Sequence, residues 1–363
     1  MKIFIQTPYG DCDFHGHKLS HISYDSFLSN KVGLTAIIKH GLLGSQLFAK
    51  LNNPFYIQKL YLEKDKEYFK FLHEFKEKYE DYDVIVMNPG VDLVHPEFLY
   101  KHFPNTLKCL HFVDDPHATY SYCFPFSWAF DCATYISPSY NNDFIMPEIL
   151  DHAGLKLNKW FPLCNSNLKD PTYSIKELKR QLPTRNNKVI YVGGYYSNKN
   201  RRLASIKYEL KSDFDIFGRD PLKGYMFPIN STINGFPSGY RVRSISNKDR
   251  EDLYSKYSIG LNMHLSDPGL ETGNARLYEL AYRGVAQVVD AGGASLVGDI
   301  FRPDVEILTY QNERECIDNI RLLQSDDDLR MSLALSAYKR AMNEYSYPSN
   351  LLGVINWYES ILR

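Results

Sequence analysis

Hydrophobic positions along the first half of the chain fall into two alternating patterns. Short apolar runs predict strands, and longer stretches with apolar residues three or four positions apart predict helices. This alternation is typical of parallel sheets built from βαβ units. The strands are predicted at Lys2–Thr7, Asp83–Asn88, Leu107–Val113 and Cys132–Ser137, and the helices near 22–50, 63–80, 96–103 and 143–153.

The alternation starts again after a polar stretch from Asn165 to Asn187. This stretch contains Pro171 and Pro183 and predicts a linker that carries one short helix. The strands beyond it are predicted at Lys188–Gly193, Phe214–Gly218, Ile259–His264, Val285–Asp290 and Glu306–Tyr310. The helices are predicted near 200–211, 247–257, 274–283, 312–325 and 326–345, and a last one at Pro348–Leu362.

The length of the chain indicates two domains. With 363 residues it is longer than one hydrophobic core usually organises. The prediction is an α/β protein with two Rossmann-like doubly wound domains that face a cleft. The first domain is residues 1–165, against which the C-terminal helix 346–363 packs back, and the second is residues 166–345. Ligands of such sheets bind beyond the carboxyl ends of the strands, where the candidate residues are sought.

Composition and charge exclude several classes of protein. Apolar residues make up 44% and charged residues 23%, as in ordinary globular proteins. The formal net charge of −1 draws the chain neither to nucleic acid nor to anionic lipid. No stretch approaches about 20 uninterrupted apolar residues, so no membrane span is expected, and peripheral membrane contact stays open. The six cysteines form no C-x-x-C pair and no signal peptide is visible, which predicts a cytoplasmic protein with reduced thiols.

The segment ETGNARLYE, residues 271–279, combines two carboxylates with features that favour an anion. Glu271 belongs to a loop, Gly273 follows it, and Asn274, Ala275 and Arg276 occupy the first turn of a predicted helix. Free backbone N–H groups and the helix dipole favour a phosphate there, to which Arg276 adds a charged fork.

The two carboxylates of this segment would repel a phosphate, so they should bind another part of the same ligand. A nucleoside-diphosphate sugar fits this arrangement, with Glu271 on the sugar hydroxyls and Glu279 on the ribose diol. The alternative is an ordinary helix start with a capping glutamate and a solvated second glutamate.

Two more strand ends in the second half carry glycine and arginine. YVGGYYSNKNRR is a strand followed by the Gly193–Gly194 turn and by a basic helix start that includes Arg202. FDIFGRDP ends a strand at Gly218 and Arg219. Both are candidate contacts to the phosphates or the base of the same ligand.

These segments resemble those of a known family. YVGGYYSNKNRR, FDIFG, DLYSKYSIGLNMH, ETGNARLYELAYRGVAQVVD and NEYSY are similar to the donor-binding domain of group 1 glycosyltransferases of the GT-B fold, especially the spore-maturation-type branch. Glu271 and Glu279 match the Glu-x7-Glu motif of that group. The resemblance implies that Glu271 touches the donor sugar, that Glu279 touches the ribose, and that the first domain binds the acceptor. It also implies retention of the anomeric configuration.

In the first domain, Asp114, Asp115 and His117 follow a predicted strand in the sequence VDDPH. Side chains at the carboxyl end of a strand would face the cleft, where a general base works. The resemblance, which is weaker here, also places a DDP at this edge. With Glu271 they are the candidate catalytic residues, and one aspartate would be the base if the enzyme inverts. The alternative is a helix start with capping aspartates before Pro116.

The segment DCDFHGHK invites a metal-site interpretation through Asp11, Asp13, His15 and His17, which alternation places on one side of an extended segment. An acceptor-site loop is favoured instead, because a nucleotide sugar is activated without metal in this fold. VDDP also resembles the carboxylate motif of metal-dependent glycosyltransferases, but that class has a different, single-domain layout.

The expected function is transfer of a sugar, presumed a hexose, from a nucleoside-diphosphate sugar to a hydroxyl acceptor without metal or cofactor. UDP is the favoured nucleotide, and a glycan, a lipid-linked glycan, a protein or a modified DNA base are the candidate acceptors. Three alternatives stay open: an inverting transferase with an aspartate base, a nucleotide-sugar epimerase, and a non-catalytic protein that keeps only the fold.

Overall fold

The structure is a computed structural model. The structure describes residues 1–7, 10–21, 66–87, 94–112, 123–136, 139–141, 144–162, 173–193, 197–218, 243–245, 247–264, 273–292 and 297–363. The chain divides into two compact units. One comprises Met1–Pro162 with Leu351–Arg363, and the other comprises Leu163–Asn350.

The first unit is built on a seven-stranded sheet in the order β2-β3-β1-β4-β5-β6-β9. Every neighbouring pair is parallel except β2 and β3, which form a hairpin. A separate antiparallel pair joins β7 to β8. The strands are β1 Lys2–Phe4, β2 Cys12–Phe14, β3 His17–Ser20, β4 Val84–Met87, β5 Leu107–Phe112, β6 Cys132–Tyr135, β7 Ser139–Asn141, β8 Phe144–Ile145 and β9 Asn158–Trp160.

Three helices of the first unit contribute to a core on one face of this sheet. They are α1 Lys66–Tyr79, α2 Pro96–His102 and α3 Met146–His152. Leu72, Phe75 and Tyr79 of α1, spaced three or four positions apart, are buried there with Leu110 of β5. Burial of such side chains is the main favourable term for this layer.

The C-terminal helix, α11 Tyr347–Leu362, contributes residues to the first unit. Its Tyr358 is fully buried, and the phenol donates to the Cys109 sulfur of β5 at 3.4 Å. Glu359, one residue further, lies 3.7 Å from His17 of β3. The helix therefore packs on strands that are more than 240 positions away in the chain.

The second unit contains a six-stranded parallel sheet in the order β12-β11-β10-β13-β14-β15. Counted along the chain from β10, this is the order 3-2-1-4-5-6 of a dinucleotide-binding fold. The strands are β10 Asn186–Val192, β11 Phe214–Gly218, β12 Arg243–Ser244, β13 Tyr257–Asn262, β14 Ala286–Asp290 and β15 Leu308–Tyr310.

Helices cover both faces of the second sheet. One core contains Ile206 of α5, Ile320 of α9 and Leu333 of α10, while the other contains Tyr254 of α6 and Leu280 of α7. Parallel sheets are normally buried on both faces in this way. The helices of this part are α4 Ile175–Gln181, α5 Ser197–Leu210, α6 Asn247–Tyr254, α7 Ala275–Tyr282, α8 Val297–Ile300, α9 Glu313–Ser325 and α10 Asp327–Glu344.

The predicted α/β class with Rossmann-like units is confirmed. Most observed elements begin and end within a few residues of the predicted bounds. The predicted helix near 22–50 lies outside the described residues. In the part that the structure describes, no helix is both long and apolar enough to cross a bilayer.

The segment DCDFHGHK forms the β2–β3 hairpin, although it was predicted as an extended loop. Its turn residues His15 and Gly16 have φ angles of 47° and 80°, which suit a two-residue turn between twisted strands. The expectation that Asp11, Asp13, His15 and His17 lie on one side is therefore wrong, because the chain reverses between them. His17 is buried, whereas Asp13 and His15 are exposed.

Candidate functional site

The strand order of the second sheet reverses between β10 and β13, and open sheets of this kind bind ligands beyond the strand ends at such a point. Three structural features meet there. Gly193 follows β10, Asn262 ends β13 and is followed by Met263 and His264, and helix α7 begins at its N-cap residue, Asn274. The site is described from these residues outward.

Helix α7 begins without a side-chain cap. Asn274 is its N-cap in an extended conformation, but its side chain makes no capping hydrogen bond and donates instead to Asn262 Oδ1 at 2.8 Å. Gly273 before it has a φ of 129°, a backbone conformation that favours glycine. The first-turn N–H groups therefore carry the positive end of the helix dipole without a carboxylate or hydroxyl from the N-cap.

The side chain of Arg276 connects the ends of β10 and β13. Its Nε donates to the Val192 carbonyl at 2.5 Å, and its Nη1 donates to Asn262 Oδ1 at 3.1 Å and to the Met263 carbonyl at 3.4 Å. The guanidinium also lies 4.3 Å from the centre of the Tyr191 ring, a cation–π arrangement. Arg276 is thus a buried charge whose Nε and Nη1 face protein acceptors.

Gly193 makes room for this guanidinium. A Cβ added at this position would overlap Nη2 of Arg276 and the hydroxyl of Tyr191. The sequence singled out Gly193 for a phosphate-binding turn. Glycine is required at position 193 because the end of β10 lies in direct contact with Arg276.

Glu279, one helical turn after Arg276, is 7% exposed. Its Oε1 accepts a hydrogen bond from Nη2 of Arg250 in α6 at 2.6 Å. The ion pair holds the carboxylate in one orientation and offsets its charge. A phosphate at the start of α7 is therefore repelled less strongly by Glu279, because Arg250 offsets part of the carboxylate charge.

Arg202 lies among carboxylates. Its Nη1 donates to Asp290 Oδ2 at 2.7 Å, and its Nε donates to Glu313 Oε1 at 2.8 Å. Asp290 is fully buried at the end of β14. These bonds fix the first half of α5 against β14 and α9, so a phosphate would compete with two carboxylates for this guanidinium.

His264, which the sequence did not indicate as a site residue, and Lys199, from the predicted basic helix start, also belong to this region. His264 is 2% exposed and Lys199, in the first turn of α5, is 6% exposed. Burial and the charges of Arg276 and Lys199 lower the pKa of His264 to about 3, so the imidazole is neutral at pH 7. A cation in the first turn of a helix opposes the helix dipole, an arrangement that an anion stabilises. The sequence signal for His264 was the change from apolar to polar residues at NMH, residues 262–264, where the strand ends.

The remaining predicted residues divide into two groups. Gly218 ends β11 beside β10, and its carbonyl accepts from Ile245 N–H at 3.4 Å. Ala275 is exposed at the first position of α7. The predicted site residues that lie outside the described part of the chain are Asp114, Asp115, His117, Gly194, Arg219 and Glu271.

No cluster of metal-ligating side chains in the described part of the chain supports the alternative of a metal site after the first strand. Among the described residues, no three His, Cys, Asp or Glu side chains come close enough together to hold a metal ion. Asp11 Oδ1 instead accepts from the His21 N–H at 2.9 Å. The cysteines of the described ranges, Cys12, Cys109, Cys123, Cys132 and Cys316, are free thiols.

Comparison with known proteins extends this description. Residues 200–352, which include α7 and its surroundings, match the profile of the glycosyl transferase-like family. This part of the chain is therefore similar to glycosyl transferase-like domains. A comparison with curated proteins gave no match.

Solved glycosyltransferases share the fold at low sequence identity. A glycosyltransferase from Rickettsia africae ESF-5 is 13% identical, with a TM-score of 0.55 over 95% of this chain and 86% of that chain. HepE of Anabaena, solved with UDP and glucose, is 13% identical, with a TM-score of 0.53 over 80% and 81%. An alpha-glucosyltransferase solved with UDP and a 13-mer DNA is 14% identical, with a TM-score of 0.56 over 81% and 83%.

The family match over residues 200–352 confirms the predicted resemblance to glycosyltransferases, and the solved structures share the predicted fold. The narrower spore-maturation-type branch stays a prediction. The functional roles of the individual site residues also stay predictions, and the geometry above defines what each side chain is placed to do.

Proposed function

We propose that this glycosyltransferase moves a sugar from a nucleoside-diphosphate sugar, with UDP favoured, to a hydroxyl acceptor. The reaction needs neither metal nor cofactor and retains the configuration of the sugar. The bond from the anomeric carbon to the diphosphate breaks, a bond to the acceptor oxygen forms, and the acceptor proton passes to the leaving diphosphate.

The observation that carries the proposal is the uncapped start of α7 beside the buried guanidinium of Arg276. Asn274 leaves the first-turn N–H groups uncapped, and Lys199 adds a second buried cation nearby. Positive groups held in place before the reaction stabilise the charge that develops on a leaving diphosphate. Because Arg276 is fixed by bonds to Val192 of β10 and Asn262 of β13, it requires no reorganisation as that charge appears.

The ends of the donor are assigned to the two glutamates of the motif. Glu279 lies one turn beyond the proposed diphosphate position, where it would accept from the ribose diol, with Arg250 holding its orientation. Glu271 is proposed to contact the sugar hydroxyls. Asp114, Asp115 and His117 are proposed to act on the acceptor, although a retaining reaction needs no base from them.

A donor-hydrolysis screen tests the proposal without knowledge of the acceptor. The purified chain is incubated with UDP-, GDP- and ADP-sugars, and the released nucleoside diphosphate is measured with and without EDTA. Slow release from one nucleotide class, unchanged by EDTA, is expected. Release of no nucleotide, together with no nucleotide binding by calorimetry, would contradict the proposal.

Arg276→Lys tests the site itself. It keeps the charge but loses the fork, so nucleotide affinity should fall about tenfold or more, since charge-assisted hydrogen bonds contribute about 1.5–3 kcal/mol each. Arg314→Lys, at an exposed position of α9, is the matched control and should leave the affinity unchanged. Equal affinities of the two variants would remove Arg276 from the site.

A further inference from the structure

The imidazole of His264 is buried just beyond the end of β13. It is 2% exposed, and among the described residues neither Nδ1 nor Nε2 has a partner within hydrogen-bond distance and angle, although the Asp290 backbone is close enough to raise its pKa. A neutral imidazole has one donor and one acceptor nitrogen. Leaving a buried polar group without a hydrogen-bond partner destabilises the protein. We therefore expect a ligand to supply the hydrogen-bond partners of this imidazole.

Two neighbouring residues have unpaired buried atoms at the same strand end. Asn262 is fully buried, and its Oδ1 accepts from both Asn274 Nδ2 and Arg276 Nη1, while its Nδ2 is a donor without a partner in the described ranges. Asn274 Oδ1 is a buried acceptor without a partner among the described residues. In the part of the chain that the structure describes, buried polar atoms without a hydrogen-bond partner therefore lie together between the end of β13 and the start of α7.

The charges around His264 favour an anion at this place. The charges of Arg276 from α7 and of Lys199 and Arg202 from α5 lower the pKa of His264, whereas the backbone of Asp290 in β14 raises it. Asp290 Oδ2 accepts from the His264 backbone N–H at 3.4 Å and from Arg202 at 2.7 Å. Among the described residues, three cations therefore act on His264, and the neighbouring Asp290 carboxylate is engaged by Arg202.

We propose that His264 is a binding residue for the phosphates of the nucleotide, to which it donates a hydrogen bond, and that it takes up a proton as they bind. This proposal rests on the proposed function, since it needs a nucleoside diphosphate at the start of α7.

The proton uptake follows from the change in local charge. In the empty protein, burial and the neighbouring cations hold the pKa of His264 to about 3. Phosphates that contact the ring place several negative charges beside it, which favours the charged imidazolium and raises the pKa. The bound-state pKa then exceeds the free-state pKa, so affinity increases as pH falls through the bound-state pKa toward the free-state pKa.

The experiment is calorimetry with UDP at pH 6 and pH 7, each in two buffers of different ionisation enthalpy. The difference between the buffers gives the number of protons taken up. His264→Gln keeps a hydrogen-bonding side chain that cannot titrate, and His264→Leu removes both properties. UDP also titrates at its terminal phosphate near pH 6, so the uptake that remains in His264→Gln measures that part.

The expected result separates the two variants. His264→Gln should take up fewer protons than the unchanged protein and bind UDP somewhat more weakly at pH 6. His264→Leu should lose about tenfold or more in affinity at both pH values, which is the value of a charge-assisted hydrogen bond. The control is His111→Gln. Burial lowers the pKa of His111 to about 4, but this histidine belongs to β5 of the first unit and is paired with Thr134 at 2.8 Å.

The outcomes distinguish this proposal from the one on which it rests. If the unchanged protein binds UDP and both His264 variants bind it with the same affinity and proton uptake, His264 has no such role and the proposed function stands. If the unchanged protein binds none of UDP, GDP and ADP, the proposed function is itself wrong. If His264→Leu does not fold, the proton uptake of His264→Gln still decides.

Discussion

The proposed contact between Glu279 and the ribose leads to a prediction in which two effects oppose each other. Changing Glu279 to glutamine removes a charged hydrogen-bond acceptor, which should weaken nucleotide binding by about 1.5–3 kcal/mol, or about 10- to 100-fold. The same change removes a negative charge near the diphosphate, which should strengthen binding. The structure indicates which effect is larger.

The ion pair with Arg250 reduces the electrostatic effect. Two unit charges about 8 Å apart at an effective dielectric constant of about 20 interact by about 2 kcal/mol. An unpaired Glu279 would therefore repel each phosphate charge by an amount comparable to the hydrogen bond. Arg250 lies 2.6 Å from Glu279 Oε1 and contributes the opposite charge at nearly the same place, so most of the repulsion cancels. The lost hydrogen bond should determine the sign, and Glu279→Gln should bind UDP more weakly.

Calorimetry with UDP and with 2′,3′-dideoxy-UDP checks this reasoning. The dideoxy analogue cannot donate to Glu279, so the unchanged protein should bind it about as weakly as Glu279→Gln binds UDP. The substitution should not weaken binding of the analogue further. Thermal melting of each variant shows whether Arg250, left without its partner, destabilises the domain.

Arg250→Met supplies the complementary measurement, because it leaves Glu279 charged and uncompensated. It should weaken UDP and the dideoxy analogue alike, through repulsion. If Glu279→Gln instead reduces the affinities for UDP and for the analogue by the same factor, Glu279 does not bind the ribose and the assignment is refuted.

Two further predictions concern stability. Gly193→Ala should destabilise the protein by about 1–3 kcal/mol and weaken nucleotide binding, since the added Cβ overlaps the Arg276 guanidinium. The control is Gly353→Ala, at an exposed helix position where an added Cβ meets no atom within 4 Å, and it should be neutral or stabilising in thermal melts. Equal melting temperatures of the two variants would contradict the contact. Arg185→Met should lower the free energy of unfolding by about 1–3 kcal/mol, measured by urea denaturation. The reason is that Arg185 Nη1 donates to the carbonyls of Arg283 and Gly284 at 2.8 and 3.0 Å, beyond the end of α7. An unchanged urea midpoint would show that water replaces these bonds.

The secondary structure of the second unit was predictable because the patterns that specify it are local. Phe214–Gly218 was predicted and observed with the same bounds, and β14 and α9 differ from prediction by one residue at one end. Elements that lack such a pattern were missed. The β2–β3 hairpin is short and polar, and only its pairing with β1 makes it part of a sheet.

The candidate site was predictable in outline and not in its contacts. Gly193, Gly273 and Arg276 were singled out from the sequence, and the structure brings Gly193 and Arg276 into contact. The partners of Arg276 and Glu279 were not predictable, since Val192 is 84 positions from Arg276, and Arg250 is 29 positions from Glu279. His264 was read only as the end of a strand, because burial and the absence of partners are not visible in a sequence.

The sequence alone determined the α/β class, most helices and strands, and the presence of an anion-favouring helix start, since each depends on residues within a few positions of one another. The tertiary structure decided the strand order 3-2-1-4-5-6, the connection of β10 and β13 through Arg276, and the charge balance at Glu279 and His264. These depend on which distant segments pack together. The electrostatic energy of a group is fixed by the charges and the burial that such packing brings to it.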